Sequence, residues 1–99
     1  MNVQDQICEA IRERFLLRFW YPRSQPDDRV VEPHLLGFNS AAGTLTLSAW
    51  QISGGSGVGF RPYHVNLIKN FVVTDERFSG TRIGYNPNDT TMSRIICRI

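Results

Sequence analysis

The spacing of apolar positions in this chain changes once, near residue 15. Val3, Ile7, Ala10, Ile11 and then Arg14 or Phe15 recur at helical intervals, with Asp5, Gln6, Glu9, Arg12 and Glu13 on the opposite face. Asn2 is a good N-cap, and Asp5 three positions later suits a first turn. This pattern predicts one amphipathic helix over residues 3–14.

Beyond it the pattern alternates. Phe15 to Tyr21 reads as a first strand and Arg29 to Phe38 as a second. Pro33 removes a ladder donor from the second, so a bend, bulge or edge is expected there. Leu45, Leu47 and Ala49 alternate with Thr44, Thr46, Ser48 and Trp50, as in a half-buried third strand. Phe60 to Val65 and Ile68 to Thr74 read as a fourth and fifth, with Phe71-Val-Val73 expected to be buried. Met92 to Ile99 reads as a last strand.

The connections are polar and rich in turn formers. Residues 22–28 hold two prolines and two aspartates, and residues 39–43 suit a hairpin loop. Ser53-Gly-Gly-Ser-Gly-Val-Gly59 suits a flexible hairpin tip, and residues 75–89 are loop-rich. One helix followed by five or six short strands predicts a mainly β fold, a small β-barrel with one N-terminal α-helix, as a single domain over residues 1–99.

Composition narrows the function. The formal net charge of +2 permits an anionic partner without demanding one. Of 11 basic residues only Lys69 is lysine. Arginine grips phosphate or carboxylate with a planar fork, although a biased genome yields the same excess. No apolar stretch approaches membrane-spanning length, and the N-terminus lacks the pattern of a secretory leader. A reducing cytoplasm is therefore expected. Cys8 and Cys97 are too far apart for a zinc knuckle. A bridge from the first helix to the last strand is open to them, but two reduced, partly buried thiols are the expectation.

No catalytic motif is present, so a binder is expected and not an enzyme. The glycine run is not GxGxxG, and no Lys-Ser/Thr follows it. Asp27-Asp28 reads as turn chemistry and not as an acid/base dyad. His34 and His64 lack further ligands at zinc spacing, so neither a metal nor a cofactor is expected. Arg61 and Tyr63 share one face of their strand, with His64 on the other. An arginine beside an aromatic suits a phosphate and a stacked base. The competing reading places Tyr63 in the core. Trp50 points away from the Leu45/Leu47 face, either as a stacking platform or buried under the helix or the C-terminal tail, with burial favoured.

Several local patterns resemble the WYL-domain family across most of the chain. They are Ala10-Ile-Arg-Glu-Arg14 running into Leu17-Arg-Phe-Trp-Tyr21, then Arg29-Val-Val-Glu-Pro33, Leu45-Thr-Leu47 with its Ser-Ala-Trp extension, and Arg61-Pro-Tyr63 leading to Leu67-Ile68. The resemblance implies an SH3-like, Sm-like barrel standing alone as a WYL-like domain. It implies ligand sensing of the kind found in bacterial transcription regulation, with a nucleotide, a short single-stranded nucleic acid or another anion as ligand. Arg61 falls at a family ligand position and would neutralise phosphate. Tyr63 or Trp50 would stack on a base, and Ser53 and His34 would supply neutral hydrogen bonds. The alternative is a protein-interaction or homo-oligomerisation module acting through a sheet edge.

Overall fold

The computed structural model describes residues 1–23 and 25–99. The expected turn over residues 22–28 thus includes Ser24, which lies outside the described residues. Helix α1 spans Val3–Glu13. The Asn2 side chain accepts from the Asp5 N–H at 2.8 Å, so the expected cap is present. The helix ends where Arg14 turns left-handed at φ 62° and returns its N–H to Ala10.

Six strands follow: β1 (Phe15–Trp20), β2 (Asp28–Asn39), β3 (Leu45–Ser53), β4 (Gly59–His64), β5 (Lys69–Arg77) and β6 (Met92–Arg98). A short 3-10 turn, Val65–Leu67, lies between β4 and β5. All pairings are antiparallel, in the order β4-β3-β2-β1-β5, with β6 also on β2. The long β2 makes this possible. Residues 30–38 pair with β3, while the other edge is shared, residues 28–31 by β1 and residues 35–39 by β6. Pro33 falls in the gap between those two partners, next to a register shift against β3. Its missing N–H therefore costs no ladder bond on the shared edge.

The expected barrel does not close. Among the described residues β4 and β5 form the two ends of the strand path and are not paired with each other. Residues 65–68 alone join them. Five flat strands would hold those edges about 19 Å apart, so the sheet must curl to let so short a link reach. The nearly equal extents of 30 × 29 × 27 Å agree with a curled sheet.

The concave side holds the core. Ile7, Ala10 and Ile11 of α1 pack with Leu17, Phe19, Tyr21, Val31, Leu36, Leu47, Ala49 and Tyr63. Two expectations fail here. Val72 and Val73 are 53% and 38% exposed, because β5 is an end strand with only β1 beside it. Cys8 and Cys97 are not free thiols. They form a disulfide across 89 positions, because α1 packs against β6 and brings their Cα atoms to 5.7 Å. No helix among the described residues is long and apolar enough to cross a membrane.

Candidate anion-binding site

Strand β1 runs inward-facing Leu17 and Phe19 on to Tyr21, whose N–H closes the β1–β2 turn on the Asp27 carbonyl at 2.9 Å. The β3–β4 loop reaches the same end of the sheet, where the Gly55 N–H donates to the Pro26 carbonyl at 2.9 Å. Gly54 and Gly55 both have positive φ, and a Cβ on either would collide with the Asp28 carbonyl or the Arg29 guanidinium. Glycine is needed there because the loop lies against the start of β2. The expected hairpin tip is thus anchored at its base.

Two polar residues continue the inward-facing positions of their strands. Arg29 precedes Val31, and Gln51 follows Leu47 and Ala49, and both are buried. Arg29 donates to the Gln51 side-chain oxygen at 3.0 Å and to the Tyr21 carbonyl at 3.3 Å. Gln51 accepts a second bond from the Tyr63 hydroxyl at 2.5 Å and donates to the Gly57 carbonyl at 2.5 Å. Burial pushes the Tyr63 phenol well above its ordinary value, so it stays protonated and acts as a donor. Its ring is part of the core, edge-on to Phe19 and Tyr21, each at 5.0 Å.

A cavity of about 150 Å³ opens beside this network. Its lining includes Arg23, Arg29, Arg61, Gln51, Tyr63 and Ser56, with no carboxylate among the described lining residues. Arg61 is steered by the loop: its Nε donates to Ser56 at 3.2 Å and one terminal nitrogen to the Phe60 carbonyl at 2.8 Å. Three guanidinium groups around a small opening favour phosphate or carboxylate. Pockets for whole drug-sized ligands run about 300–1,000 Å³. This one suits a single anionic group, with the rest of any larger ligand lying outside.

The structure separates the five expected site residues. Arg61 and Tyr63 line the cavity, but Tyr63 does so as a core residue, and its buried ring offers no free face to a base. Ser53 is exposed at the end of β3 opposite Val30, and Ser56 takes the place expected for it. Trp50 and His34 belong to a second cluster on the other side of the sheet.

That second cluster is a latch for the segment after β5. Glu32, buried, accepts both arms of Arg82 at 2.8 and 2.7 Å. The Arg82 guanidinium covers the Trp50 ring at 5.3 Å, and Phe60 meets that ring edge-on at 5.2 Å. Trp50 is half-buried as a result. His34, fully buried, lies among Phe60, Phe78 and Tyr85. Its Nδ1 is 2.8 Å from the Glu32 carbonyl, and its Nε2 accepts the Arg82 backbone N–H at 3.1 Å. These partners assign a neutral ring with the proton on Nδ1. Thr44 bonds His64 at 3.1 Å, so the two histidines serve different partners.

Burial depresses the His34 pKa, with the neighbouring Arg82 charge adding to it and Glu32 opposing it. The folded protein then holds its proton less tightly than the unfolded chain. Stability from this group is present above the unfolded value near 6.5 and is lost as pH falls through the lower folded value. Thermal melts from pH 7.5 down to 5 should show a falling Tm, and the fall should be smaller in His34→Gln.

Arg23, Arg29 and Gln51 were not singled out by sequence reasoning. The available signal was a polar residue at an inward-facing position of an alternating strand, at Arg29 and at Gln51. Arg23 carried no such signal, because it sits in a turn. No protein-family model, no curated protein and no solved structure matches this chain.

Proposed function

We propose that this protein is a non-catalytic ligand-binding module of WYL type, with a curled SH3-like sheet, that recognises an anionic group through Arg61 together with Arg23 and Arg29. The observation that supports it most is the cavity shared by three arginines, with no carboxylate among its described lining residues. Gln51 and the protonated Tyr63 add neutral polar groups to its wall. A nucleotide or the end of a short single-stranded nucleic acid would place one phosphate in the cavity. Its base would lie on the rim and not on Tyr63. Regulation by such a ligand is part of the same proposal.

The test is binding of inorganic phosphate, a nucleotide and a labelled oligonucleotide at low salt, followed by calorimetry or fluorescence anisotropy. Arg61→Ala should weaken phosphate-containing ligands and flatten the salt dependence by about one counterion. Arg23→Ala should act in the same direction. Wild-type protein that binds none of the three ligands would remove the proposal.

One observation favours a second reading. β5 is an end strand that exposes Val72 and Val73, which suits edge pairing with a protein partner or a second copy. On that reading sedimentation should show concentration-dependent association. Val72→Lys should abolish it without changing phosphate binding.

A further inference from the structure

A second cavity, of about 410 Å³, lies at the other junction of the molecule, where α1 meets β6. Its lining includes both half-buried cysteines of the disulfide, together with Arg12, Arg14 and Arg98. Ile99 also lines it, and no side-chain carboxylate is among the described lining residues. Arg12 lies one helical turn after Cys8, on the same face, and Arg98 follows Cys97 directly. Arg98 donates to the Pro87 carbonyl at 2.7 Å, a neutral acceptor that leaves its charge in place. Besides the main-chain carboxylate at Ile99, two features oppose this positive field. The C-terminal end of α1 carries about half a negative charge, and Glu13 lies 3.8 Å from Arg12. Three full guanidinium charges outweigh them together.

We propose that this disulfide and its cavity form a thiol-exchange site for a small anionic thiol, a molecule bearing carboxylates as well as its sulfur. The volume lies within the range of small-ligand pockets. The arginines attract the carboxylates and raise the local concentration of the thiolate. The thiolate sulfur attacks Cys97 Sγ and a new S–S bond forms there. The Cys8–Cys97 bond breaks, and its electron pair leaves on Cys8 Sγ as a thiolate. Arg12, one turn away, stabilises that leaving thiolate, which sets the direction of attack. The incoming thiol is the only reductant required. The product is a mixed disulfide on Cys97 and an α1 no longer tied covalently to β6. This inference is independent of the anion site at the far end of the sheet.

The oxidised protein would be exposed at low ionic strength to reduced glutathione, neutral 2-mercaptoethanol or cationic cysteamine, each at the same thiolate concentration. Quenched samples would be read by peptide mass mapping. Glutathione is expected to open the bond about tenfold faster than cysteamine. The difference should largely vanish near 1 M salt, where charges are screened within about 3 Å. The adduct should sit on Cys97. Arg98→Gln should slow glutathione while sparing 2-mercaptoethanol, and Arg12→Gln should slow all three thiols through the leaving group. Both arginines are exposed, and unchanged circular dichroism would verify that the variants fold. Equal rates for the three thiols, an adduct confined to Cys8, or a purified protein with two free thiols would each overturn the proposal.

Discussion

Removing the Cys8–Cys97 bond should lower the melting temperature by on the order of 20 °C. The bond joins residues 89 positions apart, so it spans nearly the whole chain and restricts the unfolded ensemble strongly. Closing a loop of that length is worth roughly 3–5 kcal/mol. Domains of this size lose about 4–8 °C per kcal/mol. The folded state should nonetheless survive, because Ile7, Ala10 and Ile11 are buried in the core and hold α1 to the sheet by apolar packing as well as by the bond. The comparison is a thermal melt of wild type against a Cys8→Ala/Cys97→Ala double variant, both read by circular dichroism. Matching melting temperatures would mean that the helix is held by its apolar face alone.

Tyr63→Ala should be comparably damaging, and Tyr63→Phe far less so. The tyrosine is 2% exposed and meets Phe19 and Tyr21 edge-on. Truncating a buried aromatic leaves a cavity and costs about 3–5 kcal/mol. The phenylalanine variant keeps the ring and loses only the hydroxyl. Gln51 still accepts from Arg29 after that change, so no buried oxygen is orphaned and the cost is about 1 kcal/mol. Urea melts of the two variants separate these terms. Anion affinity measured in Tyr63→Phe should fall only modestly, because the arginines carry the charge. A large loss of binding with unchanged stability would instead make the hydroxyl a direct ligand contact.

The two sites differ in how far they were legible. Arg61 could be picked out because it sits beside an aromatic after a glycine run, and the structure places it at the cavity. Arg29 and Gln51 were readable in principle as polar breaks in inward-facing rows. Their pairing was not readable, since it depends on β2 and β3 lying side by side in one register. Trp50 and His34 were grouped with Arg61 as residues of a shared site. Strand alternation instead directs them to the opposite side of the sheet, where Arg82, from a loop with no pattern of its own, covers them.

The local chemistry of the chain determined its elements. Helical spacing with an Asn2 cap specified α1, alternation specified the strands, and Pro33 marked the irregularity in β2. These features depend on neighbours within a few residues, so they can be read in one dimension. The tertiary structure alone decided the rest. It left the sheet open between β4 and β5, exposed Val72 and Val73 on an end strand, joined Cys8 to Cys97, and gathered Arg23, Arg29 and Arg61 around one cavity. Each of these depends on which distant segments become neighbours. That choice is made by the packing of the whole sheet around one core, and no local pattern records it.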